Sequence, residues 1–321
     1  MTNDCILFDP RFGKRPARFA GRDDVLRDIR AALNDPEEQE RVTILTGIKG
    51  SGKTSILAEI RSNPGSSGFT FIDLNYEKKS RTERPQAGEN AIVYSVDDVS
   101  QDMPDIISFL EDFPKRVQKG ENIRLILAGT PHGVDEILKD ERVFYLQRVR
   151  RITLGNLRTD EVLALFTEAF AGTGTGQANE SVLYRAAEAT AGYPYLIQLI
   201  GYYLSKERGF DDIAADKAIF LAKIELYKNI HAPLVWSLSS KDRMFLWAMA
   251  QDEGHSEFGE ITRRMDVSAG YASKYRERLI NAGVIYSSSY GELAFTLPFM
   301  KEYVEKEYIE RLGGEGGKRR L

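Results

Sequence analysis

Apolar runs and amphipathic stretches alternate over the first half of the chain. Five short runs rich in β-branched and apolar residues predict buried strands, over residues 42–46, 69–74, 91–96, 123–128 and 151–154. Apolar residues at helical spacing predict helices over residues 22–33, 105–117 and 134–139, and a further helix that follows a glycine-rich turn and ends near residue 61. Strands that alternate with helices form parallel sheets, so we expect an α/β fold with a five-stranded parallel sheet.

The pattern after residue 157 is helical. Helices are predicted over residues 159–170, 179–190, 193–208 and 211–230. Near residue 233 the pattern changes to three helices, over residues 241–250, 257–265 and 268–281, followed by two strand-like runs around Tyr290-Gly291. Three helices and a hairpin are typical of a winged helix-turn-helix. We therefore predict an α/β core over 1–157, a helical lid over 158–232, a winged helix over 233–312 and a disordered tail over 313–321.

Composition places the chain among ordinary globular proteins and excludes a collagen-like or wholly disordered chain, since 42% of residues are apolar and 29% charged. The 44 Lys and Arg against 48 Asp and Glu give a net charge of −4, so any nucleic-acid surface must be local. Cys5 is the single cysteine, which excludes an intrachain disulfide and favours a reducing compartment. No apolar run reaches the ~18 residues of a membrane span, and the first residues lack a signal-peptide pattern. We expect a cytoplasmic protein with no membrane partner.

A glycine-rich loop between the first strand and the second helix carries the clearest chemical signal. Residues 47–54 read GIKGSGKT and match G-x-x-x-x-G-K-[ST] without a mismatch. Glycines let successive backbone N–H groups surround a phosphate, and the helix N-terminus adds positive potential. We expect Lys53 to contact the β- and γ-phosphates of ATP and the Thr54 hydroxyl to ligate Mg²⁺. The predicted nucleotide-binding residues of this loop are Gly47, Lys49, Gly50, Ser51, Gly52, Lys53, Thr54 and Ser55.

Two acidic residues, Asp97 and Asp98, end the third predicted strand. Paired acids at such a strand end, beside a phosphate-binding loop, are typical of a Mg²⁺ site and of the group that orients the attacking water. We assign the metal to Asp97 and the water to Asp98. The alternative is an Asp-Asp turn that only closes the strand.

Two further groups are candidates for contact with the γ-phosphate. Thr130 follows the fourth predicted strand, where a polar side chain can sense that phosphate; the alternative is an ordinary strand-end threonine. Arg148, and after it Arg150, stands in a basic cluster before the fifth strand. One of them can serve as an arginine finger, in cis or on a second subunit. The alternative is a solvated basic turn.

These motifs, in this order, resemble those of the AAA+ ATPases, in particular the origin-recognition-like and STAND-type ATP-binding proteins of prokaryotes. The segments that carry the resemblance are FAGRD at residues 19–23, the phosphate loop at 47–54, the strand with its acids at 93–98, LAGT at 127–130, and GYP at 192–194. They resemble the F-x-G-R-[ED], Walker A, Walker B, sensor 1 and G-x-P motifs, respectively. The resemblance implies that Phe19 and Arg22 border the adenine and that Pro194 packs near the nucleotide.

The chain departs from the family pattern at three places. The second Walker B acid is Asp98 where glutamate is usual, and its shorter side chain reaches less far toward the attacking water. Residues 75–90 leave little room for the helix usually found between the second and third strands. Tyr195 stands where the origin-type lid has its sensor 2 arginine. These departures favour ATP binding over hydrolysis and leave ATPase activity open.

The third helix of the predicted winged helix is the expected groove reader. The side chains assigned to DNA are Tyr271, Ser273, Lys274, Arg276 and Arg278. Residues 237–321 carry 13 basic and 13 acidic residues, so the segment as a whole is neutral. Winged helices also contact proteins, and this alternative stays open.

Three functions remain at this point. The first is an ATPase whose slow hydrolysis resets a DNA-bound state. The second is an ATP-gated DNA-binding or regulatory protein with negligible turnover. The third is a signalling switch that forms homo-oligomers through Arg148 and presents its winged helix to a protein partner. The expected ligands are ATP and Mg²⁺ in all three, with double-stranded DNA as the partner in the first two.

Overall fold

A computed structural model describes residues 8–13, 15–17, 19–35, 41–65, 68–75, 91–171, 179–207 and 209–314, with side chains up to residue 308. The chain divides into two compact units, residues 1–215 and 216–321. This division differs from the predicted boundaries after residues 157 and 232, and the three-domain organisation stays a prediction. Most of the predicted loop between the second and third strands, residues 76–90, lies outside the described residues.

The first unit contains a five-stranded sheet whose paired strands are all parallel. The strands are β1 (Val42–Thr46), β2 (Phe69–Asp73), β3 (Ala91–Val96), β4 (Ile123–Gly129) and β5 (Arg150–Thr153). Their order across the sheet is β2-β3-β4-β1-β5. The predicted α/β fold with a five-stranded parallel sheet is thus confirmed. The three central strands β1, β3 and β4 are buried over their whole length, as expected for a sheet covered on both faces.

Helices cover both faces of this sheet. They are α1 (Asp23–Asn34), α2 (Lys53–Ser62), α3 (Ile106–Gln118) and α4 (Pro131–Leu138), followed by a 3-10 segment (Glu141–Arg148). Neighbouring residues of one strand enter different cores because side chains alternate along a strand. Ile44 and Tyr94 pack with α3, whereas Leu45 and Val93 pack with α1 and α2. The sheet therefore lies between two apolar layers, and its strand ends are held in fixed register.

A helical region follows the sheet in the first unit. It contains α5 (Thr159–Phe170), α6 (Glu180–Ala189) and α7 (Pro194–Leu204), and α8 (Asp212–Leu226) spans the boundary to the second unit. Pro194 is the first residue of α7, where the missing N–H of proline costs no helical hydrogen bond. A π-helical turn (Tyr227–His231) and α9 (Ala232–Trp236) follow α8 directly.

The second unit contains four helices and a small antiparallel sheet in its remaining part. The elements are α10 (Ser240–Ala250), β6 (Ser256–Glu257), α11 (Phe258–Arg264), α12 (Ala269–Asn281), β7 (Ile285–Ser289), β8 (Glu292–Phe295) and α13 (Met300–Gly314). The strand order is β6-β8-β7. The three helices and the hairpin occur in the predicted order, whereas β6 and α13 were missed. Helix α13 includes residues 313 and 314, which the sequence assigns to the tail; residues 315–321 lie outside the described part.

Candidate functional site

The loop between β1 and α2 holds a buried lysine at its centre. Lys53 Nζ donates hydrogen bonds to the carbonyl oxygens of Gly47, at 2.7 Å, and Ile48, at 3.0 Å. Gly50 and Gly52 have φ of 79° and 96°, a left-handed backbone that glycine adopts without penalty. Burial lowers the pKa of Lys53, against the opposing effect of Asp97 and Asp98. The loop thus presents a desolvated cation at a helix N-terminus, which is a site for an anion.

Ser51 adds an unsatisfied polar atom to the same loop. Its side chain is buried, and its Oγ has no hydrogen-bond partner among the described residues. A buried hydroxyl without a partner carries a free-energy cost that a bound acceptor removes. A larger residue in place of Gly47 is disfavoured, because its Cβ would overlap Ser51 Oγ. The orphaned hydroxyl and Lys53 together fit a phosphate group.

The acid that ends β3 lies directly against the start of α2. Thr54 Oγ1 donates a hydrogen bond to Asp97 Oδ2 at 2.5 Å. Burial raises the pKa of Asp97, and the bond from Thr54 opposes this shift. A hydroxyl and a carboxylate are hard oxygen ligands that suit Mg²⁺, which typically takes few protein ligands and completes its shell with phosphate and water. Within the described ranges, His, Cys, Asp and Glu form no cluster of three or more that fits a metal, so the Thr54–Asp97 pair is the candidate.

The backbone of Asp97 is held by a residue that the sequence did not single out. Asn75, just after β2, accepts a hydrogen bond from the Asp97 N–H at 2.7 Å and donates one to the Asp97 carbonyl at 2.6 Å. The next residue, Asp98, is exposed and has φ of 53°. Its N–H donates to Asp97 Oδ1 at 3.0 Å. The paired acids therefore differ in their surroundings: Asp97 is bonded to Thr54, whereas Asp98 is exposed.

A cavity of about 720 Å³ opens above these groups. Its lining includes most residues that the sequence assigned to the nucleotide, namely Phe19, Arg22, Lys49, Gly50, Ser51, Gly52, Lys53, Thr54, Ser55, Asp97, Asp98, Thr130 and Pro194. Gly47 joins the site through its bond to Lys53. Burial lowers the pKa of Arg22, whose guanidinium donates to the Gly155 carbonyl at 2.5 Å. The fold thus brings together residues from five separate segments of the first unit.

Thr130 combines a structural contact with its place in the cavity. Its Oγ1 accepts a hydrogen bond from the Gly133 N–H at 3.1 Å and so caps α4. The hydroxyl proton is still able to donate to a ligand. Both readings of this threonine, cap and sensor, are compatible with one geometry.

The helical region touches the phosphate loop directly. The Tyr193 hydroxyl donates to the Lys49 carbonyl at 2.5 Å, and the Tyr195 N–H donates to the Gly50 carbonyl at 3.2 Å. A Cβ on Gly50 would overlap the Tyr193 hydroxyl. Tyr193 is completely buried, yet the sequence indicated only its place in the G-x-P segment. The start of α7 therefore fixes the loop in one shape.

The arginines around the start of β5 do not line the cavity of their own chain. The Arg148 guanidinium lies over the exposed Phe144 ring, 5.7 Å from its centroid. Arg150 is exposed on the edge strand β5, and Arg151 lies 3.8 Å from Asp135. Arg148 thus lies outside the cavity lining, and its predicted role on a phosphate stays a prediction.

The side chains predicted to contact DNA differ in their surroundings. Tyr271 and Lys274 are exposed on α12, whereas Ser273 Oγ donates to the Ala269 carbonyl at 2.9 Å. The Arg276 guanidinium lies 4.7 Å from the centroid of the Phe258 ring. Arg278 forms an ion pair with the buried Asp242 of α10 at 2.6 Å. Arg278 thus joins two helices of its own unit although its side chain stays exposed, whereas Tyr271 and Lys274 are exposed without such an ion pair to another helix in the described part of the chain.

Comparisons with known proteins place these observations in a class. The family model described as Domain of unknown function (DUF8462) matches residues 228–304. No curated protein has a similar sequence at a significant level. Among solved structures, a Walker-type ATPase of Pyrococcus abyssi is 15% identical, with a TM-score of 0.70 over 93% of this chain and 99% of the other. The ORC2 protein of Aeropyrum pernix, in its ADPNP-ADP complexes, is 11% identical, with a TM-score of 0.68 over 96% and 100%.

At these identities the similarity concerns the fold alone. The chain therefore has the AAA+ P-loop ATPase fold, as its motifs predicted. The similarity extends over most of the chain, in the helical region as well as in the sheet. No described helix is both long and apolar enough to cross a membrane.

Proposed function

We propose that this protein binds ATP with Mg²⁺ in the cavity of its first unit and uses the nucleotide state to control its C-terminal unit. The single observation that carries the proposal is the loop around Lys53, which holds a buried cation beside the Thr54–Asp97 pair in one cavity. A triphosphate offsets the desolvation of Lys53. Thr54 and Asp97 would hold the accompanying Mg²⁺ through their side-chain oxygens.

The remaining residues of the site bind and orient the nucleotide. Backbone N–H groups of residues 47–52 and the Ser51 hydroxyl contact the phosphates, and Ser55 follows in the first turn of α2. Phe19, Arg22 and Pro194 bound the base and ribose side of the cavity. Thr130 senses the γ-phosphate through its hydroxyl proton. Mg²⁺, when bound, would neutralise phosphate charge, and the two hydrogen bonds of Asn75 keep the Asp97 backbone in place to hold it.

Hydrolysis in this site is slow or conditional. Asp98 is the candidate for orienting the attacking water, and it carries one methylene less than the usual glutamate. Tyr195 supplies no positive charge where the related lids have an arginine. Arg148 completes the charge balance only from a second subunit, so hydrolysis depends on a homo-oligomer. The P-loop and its acids nevertheless remain complete, which keeps ATP cleavage within reach.

The C-terminal unit is the output of the nucleotide switch. We propose that α10, α11 and α12 with the β7–β8 hairpin act as a winged helix-turn-helix on double-stranded DNA. Tyr271 and Lys274 are exposed on the predicted groove-reading helix, which supports this role. The G-x-P segment supports a STAND-type switch, and the single cysteine supports a cytoplasmic location.

A protein partner is the alternative output. It is favoured by the ion pair between Arg278 and Asp242, which occupies one of the few cations of α12. It is also favoured by the balance of 13 basic and 13 acidic residues over 237–321. In this case the protein is an ATP-gated regulatory switch without hydrolysis.

Nucleotide binding is tested with a fluorescent ATP analogue and Mg²⁺. We expect Lys53→Ala to abolish binding, because it removes the buried cation on which the loop closes. Lys119→Ala, at an exposed lysine outside the cavity, is the matched control and leaves binding unchanged. Equal affinity of both variants would refute the proposed site.

Catalysis is tested by single-turnover hydrolysis, with protein in excess over ATP, with and without duplex DNA. Cleavage by the wild type and its loss in Asp98→Asn identify an ATPase in which Asp98 positions water. Tight binding without cleavage identifies a nucleotide-gated switch.

DNA binding is tested by the mobility of labelled duplex at several salt concentrations. Phosphate contacts release counterions, so affinity falls steeply with salt when the contact is genuine. Lys274→Ala weakens binding in that case, and Lys241→Ala, on α10, serves as the control. If the mobility of the duplex shows no salt-dependent shift with either ATP or ADP bound, the result favours the protein partner.

A further inference from the structure

Residues near the start of the chain line the cavity and lie between two anchoring contacts, at Phe8 and at Arg15. This segment, residues 8–13, is called the strap below. At its beginning, the Phe8 ring packs against the rings of Phe166, at 5.6 Å, and Phe170, at 5.7 Å. It also fills the space beside Gly201, where a Cβ would overlap it. The strap therefore begins in a buried aromatic cluster on α5 and α7.

A second anchor follows the strap. Arg15 Nε donates to Glu59 Oε2 at 2.7 Å, and the same pair forms an ion pair at 2.6 Å. Glu59 is buried on α2, the helix that follows the phosphate loop. One anchor consequently lies on the helical region and the other on the helix that carries Lys53.

The middle of the strap is held by weaker contacts. The Phe12 ring stacks on Tyr195, with 4.6 Å between centroids and 18° between planes. The Lys49 ammonium lies 5.5 Å from the Phe12 centroid. Phe12 nevertheless stays 51% exposed, whereas Phe8 is 2% exposed. One aromatic stack and one cation–π contact are weak enough to open and close, while the two anchors keep the strap attached.

The position of this stack matters because Tyr195 and Lys49 belong to the contact between α7 and the phosphate loop. The Tyr195 N–H is bonded to the Gly50 carbonyl. Arg11, Phe12 and Gly13 line the cavity together with Lys53 and Asp98. The strap therefore forms part of the cavity wall beside the phosphate loop.

We propose that the strap is a gate for the nucleotide and that the stack of Phe12 on Tyr195 is its latch. The inference rests on the proposed function, because it assigns the control of exchange to the same cavity. A latch raises the barrier for entry and for exit equally. It slows both rates and leaves the equilibrium affinity nearly unchanged. The protein then keeps ADP or ATP until a partner displaces the strap.

The test is stopped-flow measurement of association and dissociation of fluorescent ADP with the full chain. We expect Phe12→Ala to raise both rates about fivefold to tenfold, the range expected for loss of one aromatic stack with its cation. Phe12→Leu, which keeps apolar bulk, moves both rates in the same direction, and Phe12→Tyr keeps the wild-type rates. Phe144→Ala is the matched control. Phe144 is 54% exposed and, like Phe12, has a cation over its ring, in this case Arg148, but it does not line the cavity.

The outcomes separate the gate from the proposed function. If the wild type does not bind ADP, the proposed nucleotide site is wrong. If the wild type binds ADP and Phe12→Ala exchanges it at wild-type rates, the gate is wrong and the site stands. If only dissociation accelerates and affinity falls in proportion, Phe12 is an ordinary ligand contact and the gate is again overturned.

Discussion

The buried His231 makes the second unit sensitive to mild acid. His231 lies in the π-helical turn with no exposed surface, and the rings of Tyr227 and Tyr303 lie 5.4 Å from it. Neither ring nitrogen makes a hydrogen bond of good geometry among the described residues. Burial lowers the pKa of His231 to about 3, against a smaller opposing effect of the Pro298 backbone. The folded unit therefore keeps this imidazole neutral.

The sign and size of the effect follow from proton linkage. An unfolded histidine titrates near pH 6.5, so below this pH the unfolded chain takes up a proton that the folded unit refuses. Stability is complete above pH 6.5 and falls as the pH decreases toward 3. A pH of 5 lies about 1.5 units below the pKa of the unfolded histidine. At roughly 1.4 kcal/mol per unit, His231 alone lowers the free energy of unfolding by about 2 kcal/mol at this pH.

Urea unfolding monitored by tryptophan fluorescence measures this loss. The chain has two tryptophans, Trp236 and Trp247, and both belong to residues 216–321. We expect the free energy of unfolding of this unit to fall by about 2 kcal/mol more, between pH 7.5 and 5, in the wild type than in His231→Leu. The substitution His255→Asn, at an exposed histidine, is the control. A decrease of equal size in the wild type and His231→Leu would refute the reasoning.

Three further predictions concern the site and the C-terminal unit. Arg278→Ala leaves Asp242 buried without its partner, so the second unit loses about 1 kcal/mol in the same urea assay; unchanged stability would return Arg278 to the DNA surface. Gly50→Ala places a Cβ on the Tyr193 hydroxyl and forces φ of 79° on alanine, so nucleotide affinity falls at least tenfold by fluorescence titration. Burial raises the pKa of Asp97, so this carboxylate takes up a proton at a higher pH than an exposed aspartate does. Mg²⁺-dependent binding of the fluorescent nucleotide therefore weakens as the pH falls, and Asp97→Asn removes this pH dependence.

Contiguous patterns account for the part of the molecule that the sequence predicted. The phosphate loop is eight consecutive residues between a strand and a helix, so every member is visible in the chain. The strand of residues 91–96 was predicted with the bounds that β3 has in the structure. Parallel strands end at one edge of the sheet, which is why Asp97 and Thr130 were predicted beside Lys53.

Contacts between distant residues account for what was missed. Tyr193 reaches the Lys49 carbonyl across 144 residues of sequence, and Asn75 reaches Asp97 across 22. Asparagine and tyrosine carry no local pattern that announces such a partner. The same holds for Arg278, whose charge suggested a phosphate until its distance to Asp242 was known.

The sequence by itself therefore determined the five strands of the parallel sheet, most of the helices, the phosphate loop and the acids beside it, because each depends on residues close together along the chain. Only the tertiary structure decided that α7 closes the loop, that Phe12 lies on Tyr195 and that Arg148 stays outside its own cavity. These arrangements depend on how packed layers bring remote backbone segments within a few ångströms of each other. Packing of that kind leaves no periodic trace in the order of residues.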